Sequence, residues 1–162
     1  MVGKSLLKGK RVLIVDDEPD ILETLESLLP MCEVEKAGTF ESATARIESK
    51  PFDIAILDIM GVDGYKLLDL AKKNGIIPVM LTAHALSVDD TVRSFKSGAA
   101  SYLPKDQMTN IEQYLEDILE AKEKGEHPGR RWLERMGDYY QKKFGTNWQD
   151  KDRDFWRKFP SW

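Results

Sequence analysis

The sequence predicts an α/β protein: a parallel five-stranded sheet with helices on both faces, followed by a short helical extension. Three observations predict it. Short apolar runs alternate with segments of helical periodicity through the first 124 residues. Prolines, glycines and capping residues punctuate the ends of those segments. Asp16-Asp17-Glu18 directly follow the run Val12–Val15, and Asp58 directly follows the run that ends at Leu57. Strands that alternate with helices are paired in parallel, and right-handed crossovers limit the ways they can connect.

The apolar runs are Val12–Val15, Phe52–Leu57, Ile76–Leu81 and Ala99–Leu103, with a weaker one at Glu33–Ala37. In the first helix Ile21, Leu22, Leu25, Leu28 and Leu29 share a face, with Pro19 suited to the first turn and Pro30 to the stop. Phe40, Ala43 and Ile47 mark a second helix. Leu67, Leu68 and Ala71 mark a third, closed by Gly75. Val88, Val92 and Phe95 mark a fourth, opened by Ser87-x-x-Asp90 and closed by Gly98. A fifth carries Ile111, Tyr114, Leu115, Ile118 and Leu119, with Thr109-x-x-Glu112 as its expected opening.

The chain of 162 residues is 41% hydrophobic and 32% charged, with a formal net charge of -4, which favours neither nucleic acid nor a membrane surface as partner. The single cysteine, Cys32, excludes an intrachain disulfide and suits a cytoplasmic setting; it reads as a small buried hydrophobe. No apolar stretch is long enough to span a membrane, and no signal-peptide core follows the N-terminus.

Composition changes near Gly125-Glu126-His127-Pro128-Gly129. Acids outnumber bases before this point and bases outnumber acids after it. All four tryptophans, Trp132, Trp148, Trp156 and Trp162, lie beyond it. The expected division is therefore a domain over residues 8–124 and an aromatic-rich extension over residues 125–162 that does not fold alone. Trp132, Met136, Tyr140 and Phe144 repeat every fourth residue and predict a helix closed by Gly145. Trp148, Phe155, Trp156 and Phe159 predict another after Asn147. A hairpin packed on the domain is the first expectation for this tail. A dimer or partner surface is the second and nucleic-acid binding the third.

In parallel α/β sheets ligands bind outside the carboxyl ends of the strands. There the sequence puts Asp16-Asp17-Glu18 after strand one, Asp58 after strand three, Thr82 after strand four and Lys105 after strand five. Crowded carboxylates repel unless a cation stands among them. A hard divalent cation with oxygen ligands resolves the repulsion, and a lysine beside it suits an arriving anion. Carboxylate, Mg²⁺, hydroxyl and ammonium together read as a phosphoryl site. Taken singly, each has a plainer reading: first-turn acids, a turn threonine, a solvated lysine.

Residues 8–124 resemble the receiver domain of two-component response regulators. The resemblance rests on Asp16-Asp17-Glu18, Asp58 in the run ILDIM, Asp63-Gly64, Thr82-Ala83, and Gly98-Ala99 leading through Tyr102 to Lys105. It implies a flavodoxin-like doubly wound sheet of order 2-1-3-4-5, an order that the general rule for such sheets already illustrates with this family. It further implies that Asp58 is the phosphoacceptor and that Lys105 contacts the phosphoryl group. Asp17 would bind Mg²⁺ directly and Asp16 through water, with Asp58 and the backbone carbonyl of Met60 as further ligands. Thr82 and Tyr102 would form the switch pair, and His84 would occupy a position that tunes phosphoryl lifetime. The partners implied are a histidine kinase or phosphotransfer protein and a downstream protein.

Two features depart from the family pattern. The segment Asp58-Ile-Met-Gly-Val-Asp-Gly64 lacks the usual proline and is two residues short, with Gly61 expected to supply the turn. Lys105 follows Pro104 and precedes Asp106, so no Lys-Pro bond exists. A receiver-like scaffold that takes no phosphate is the alternative. An aspartyl-phosphate phosphatase is disfavoured because Met60 stands where its second aspartate would be.

Overall fold

The computed structural model describes residues 5–83 and 87–159; His84 and Trp162 lie outside the described residues. Five strands, β1 (Arg11–Val15), β2 (Glu33–Ala37), β3 (Ile54–Asp58), β4 (Ile77–Thr82) and β5 (Ser101–Pro104), form one parallel sheet in the order β2-β1-β3-β4-β5. The central strand β3 is buried along its whole length, as expected of a strand covered on both faces. The connecting helices are α1 (Pro19–Leu28), α2 (Phe40–Ser49), α3 (Gly64–Lys73), α4 (Val88–Lys96) and α5 (Ile111–Glu123). Pro19 sits in the first turn of α1. The Ser87 hydroxyl caps α4 by accepting from the Asp90 amide at 3.0 Å.

Three details differ from the sequence expectation. The Thr109 cap does not form: Lys105–Asn110 winds as a 3₁₀ helix, so α5 starts after Asn110 with no side-chain cap. Cys32 is half-buried, with its thiol 3.6 Å from the Leu7 carbonyl; burial and nearby acids push that thiol up to about 11. Leu7, one residue before the expected domain start, is fully buried in the core.

The tail folds as α6 (Gly129–Phe144), a 3₁₀ turn at Asp150–Asp152, and α7 (Arg153–Lys158). Gly125 takes a φ of 69°, which ends α5 and turns the chain back on itself. Trp132, Met136 and Tyr140 point inward from α6, as their four-residue spacing predicts. They meet α4, where Phe95 packs edge-on against both Trp132 and Phe159 at 4.8 Å. The Trp132 indole N–H donates to the Tyr102 carbonyl at 2.8 Å. Because β5 is an edge strand, this bond satisfies a carbonyl that no neighbouring strand can reach. Around this contact run the ion pairs Arg131–Glu120, Arg135–Asp117 and, at 3.0 Å, Lys96–Asp152.

The turn into α6 carries a titration. His127 is half-buried, its Nδ1 accepts from the Gly129 amide at 2.9 Å, and its ring lies 5.7 Å from Phe159. Burial holds its pKa below the ordinary 6.5. The folded state therefore favours neutral imidazole. Its contribution is complete above the unfolded value and is lost as pH falls through the lower folded value. Tail docking is expected to weaken as pH falls below about 6.5. Because the tryptophans are confined to the tail, a red shift of their emission on acidification, absent in His127→Gln, reads it directly.

Candidate functional site

The carboxyl ends of β1, β3 and β5 bring four acids and one lysine together. Asp16 continues β1 and is fully buried; Asp17 and Glu18 follow it into solvent. Asp58 ends β3 and is 5% exposed. Lys105 follows β5 and is also buried, and its ammonium lies 2.8 Å from Asp16, 3.3 Å from Glu18 and 3.5 Å from Asp58. Burial opposes its charge, but hydrogen bonding to Asp16 and the pull of Asp16 and Asp58 keep its pKa above the ordinary lysine value. The Asp16 pKa is raised as well, which for a carboxyl disfavours the charged form. Burial raises its carboxyl, and neither Lys105 nor the Glu18 amide, which donates to Oδ1 at 2.9 Å, offsets the cost.

One oxygen each from Asp16, Asp17 and Glu18 lies within 4.8 Å of the others. Asp16 Oδ2 is buried and, despite its proximity to Lys105, lacks a hydrogen bond of good geometry. An oxygen-only donor set, in which the buried Asp16 Oδ2 is held only by its ion pair with Lys105, fits a hard divalent cation. Glu18 belongs to this cluster although the sequence assigned the ligand role to its two neighbours; its place directly after Asp16-Asp17 was the available signal. Asp58 stands apart, paired with Lys105 and accepting from the Gly61 amide at 3.1 Å. The Met60 side chain is 72% exposed beside it.

The short loop after Asp58 closes differently from the expectation. The residue with positive φ is Asp63, at 57°, not Gly61. Gly61 serves close approach instead: a Cβ there would fall 2.3 Å from Asp17 Oδ1. Gly64 is tighter, since its Cβ would meet the Asp58 backbone oxygen at 2.3 Å and Ile59 Cα at 2.8 Å. Backbone cannot yield as a side-chain tip can. Gly64→Ala is expected to cost about 1–3 kcal/mol through overpacking and to displace Asp58; urea melts of the two proteins measure the cost.

Thr82 ends β4 and is buried. The register pairs Met80 with Tyr102 and Thr82 with Pro104, which puts Thr82 and Tyr102 on one face of the sheet. Tyr102 is fully enclosed, and burial raises its phenol well above the ordinary value, with Asp90 and Tyr65 adding to the shift. Beneath it lies a polar set that apolar periodicity could not reveal. Thr91 and Ser94 on α4 are fully buried, and the Tyr65 hydroxyl reaches Asp90 Oδ1 at 3.2 Å and Ser94 Oγ at 3.3 Å. Thr91 and Tyr140 share a 2.6 Å hydroxyl contact.

A five-stranded parallel sheet with a buried aspartate, a lysine and an acidic triplet at its carboxyl edge defines a class of phospho-signalling domain. The chain belongs to the response regulator receiver domain family, whose model matches residues 12–116. Among curated relatives, it is 38% identical over 103 residues to the two-component response regulator ARR18 of Arabidopsis thaliana, which covers 60% of this chain and 16% of that protein. It is 35% identical over 118 residues to ARR10 of the same plant, covering 66% of this chain and 21% of the relative. The chain thus spans only a small part of these relatives' length. Among solved structures, a CheY-like receiver domain protein from Methanospirillum hungatei JF-1 matches with a TM-score of 0.63 and 33% identity, over 72% of this chain and 99% of that one. A putative response regulator from Chloroflexus aurantiacus J-10-fl matches with a TM-score of 0.61 and 30% identity, over 69% and 98%. Receiver domains of this family are signalling modules of two-component systems that hold Mg²⁺ at an acidic cluster, and here such a cluster is Asp16-Asp17-Glu18.

Proposed function

We propose that Asp58 accepts a phosphoryl group from a phosphohistidine on a histidine kinase or phosphotransfer protein, and that residues 8–124 form the receiver unit that does so. The observation that carries the reading is a buried aspartate at a strand tip, within 3.5 Å of a buried lysine and beside an acidic cluster. In the transfer, an Asp58 carboxylate oxygen bonds to phosphorus as the P–N bond to imidazole breaks, and the electron pair stays on the ring nitrogen. Mg²⁺ supplies positive charge that offsets the charge on nucleophile and phosphoryl oxygens. Asp17 is its proposed direct ligand and Asp16 acts through water, with Asp58, the Met60 carbonyl and Glu18 completing the donor set. Lys105 turns from Asp58 to a phosphoryl oxygen, and the Thr82 hydroxyl donates to another. The same site hydrolyses the acyl phosphate slowly.

The acyl phosphate adds roughly one to two negative charges at the tip of β3. Thr82 moves toward them and vacates space on the face it shares with Tyr102, which then favours the inward position of that ring. A downstream protein reads the result. Because α6 and α7 cover α4 and β5, any partner or homodimer contact through that side meets the tail first. The tail is proposed as an appendage of the receiver unit and not as a domain of its own. A cytoplasmic setting agrees with the lone Cys32, and among the described residues no helix is long and apolar enough to cross a membrane.

Acetyl phosphate with Mg²⁺ is expected to add one phosphoryl group to the chain, and chelation of the metal to prevent it. An unlabelled chain at saturating reagent returns the scaffold reading. Asp17→Asn is expected to weaken Mg²⁺ binding more than Asp16→Asn in a magnesium titration, and equal losses would reject the division between direct and water-mediated ligands.

A further inference from the structure

The tail does more than cover apolar surface: it holds Tyr102 from two directions. At the backbone, the Trp132 indole N–H is bonded to the Tyr102 carbonyl at 2.8 Å. At the far end of the ring, the Tyr102 phenol lies near enough to the Thr91 side chain and the Ser87 backbone for both to bias its ionisation. Thr91 in turn shares its 2.6 Å contact with the Tyr140 hydroxyl of α6. Trp132 and Tyr140 pack edge to face, 5.3 Å apart, so the two grips belong to one rigid cluster on one helix. With α6 docked, the Tyr102 ring is fully enclosed.

A second line of contacts leads to the same helix from the loop after Asp58. Gly64 abuts the Asp58 backbone, and the next residue, Tyr65, reaches the Asp90 carbonyl and Asp90 and Ser94 side chains on α4. The Arg93 guanidinium lies 3.7 Å above the Tyr65 ring and locks it in place. The inner face of α4 therefore meets the site loop through Asp90 and Ser94, and the tail through Thr91 and Phe95. The pieces that link the two are buried hydroxyls with specific partners, and such networks resist partial rearrangement because an unpaired buried hydroxyl is costly.

Resting on the reading of Asp58 as phosphoacceptor, we propose that the tail is the built-in reader of the receiver's state: loading Asp58 tightens the docking of α6 and α7 on α4 and β5, and the docked tail favours the loaded site. The sign follows from Tyr102. A loaded Asp58 favours the inward ring through Thr82, and the docked tail encloses the ring in that inward position. Two events that favour one arrangement of a shared residue favour each other, and the coupling acts equally in both directions. The side of α4 and β5 that would otherwise meet another protein is thereby occupied by the chain's own aromatic helices, and a partner's access depends on the tail.

The test uses the full chain with Mg²⁺ and beryllofluoride, a phosphoryl mimic whose uptake is followed by fluorine NMR, while hydrogen exchange is read on the amides of α6 and α7. Saturation is expected to slow that exchange by about fivefold or more. Tyr140→Phe, which removes one hydroxyl, and Trp132→Phe, which removes the indole N–H but keeps a ring, are each expected to lower beryllofluoride affinity by about three- to tenfold. Unchanged or faster tail exchange at full saturation overturns the proposal without any variant. Equal affinity in wild type and both variants overturns it as well. No uptake by the wild-type chain sinks the phosphoacceptor reading and the coupling with it, whereas uptake with an indifferent tail sinks the coupling alone.

Discussion

Asp58→Asn is expected to lose phosphoryl uptake from acetyl phosphate completely, with the fold retained. Asparagine keeps the size and shape of the side chain, so the 5% exposed position at the end of β3 is refilled without a cavity. The amide lacks the anionic oxygen that bonds to phosphorus. Three neighbours shape this outcome. The Gly61 amide keeps a partner in the asparagine oxygen, Lys105 retains Asp16 and Glu18, and Asp16 loses a like charge beside it. Stability is thus expected to stay close to that of the wild type, which separates loss of chemistry from loss of fold. Labelling of the variant at the wild-type level, by intact mass, would move the phosphoacceptor elsewhere.

Trp132→Ala carries the largest expected effect on stability. The ring is 2% exposed and touches Phe95, Tyr140, Trp156 and Phe159 within 6.3 Å between ring centres. Truncation leaves a cavity among these rings and strands the edge-facing Tyr102 carbonyl without its donor. The cost is about 3–5 kcal/mol, as for other buried aromatic truncations. For a chain of this size that lowers Tm by roughly 6–20 °C. Trp132→Phe, which loses the N–H but keeps most of the packing, is expected to fall well short of that. Thermal melts of the three proteins order them. A Trp132→Ala protein as stable as the wild type would mean that α6 adds nothing to the receiver's stability.

Much of the fold was legible in the sequence because its signals were local and redundant. The apolar run Val12–Val15, the proline-opened stripe of α1 and the Ser87 cap of α4 each point to one structure, and all three form. The four-residue repeat of Trp132, Met136 and Tyr140 marked the buried side of α6 for the same reason. The Thr109 cap failed because the chain after Lys105 first winds as a 3₁₀ helix, which shifts the start of α5 past the capping residue. The turn assigned to Gly61 falls at Asp63. A glycine in a tight loop can serve either φ freedom or close approach, and sequence does not tell the two apart.

The site was legible in part. Strand ends mark the carboxyl edge of a parallel sheet, and that edge collects Asp16, Asp58, Thr82 and Lys105 in space. What sequence could not supply was the pairing across elements. Thr91 and Ser94 read as ordinary polar helix residues, yet both are fully buried, because their partners Tyr140 and Tyr65 are 49 and 29 residues away. Hydroxyls buried by distant partners leave no periodic trace.

Asp58 is the residue expected to carry the phosphoryl group. The most direct measurement treats the full chain with acetyl phosphate and Mg²⁺, traps the acyl phosphate by borohydride reduction, and locates the reduced residue by peptide mass mapping. One modified position is expected, Asp58, reduced to the corresponding alcohol only when both reagent and metal were present. Reduction at Asp16, Asp17 or another carboxylate, or none at Asp58 under saturating conditions, would contradict it.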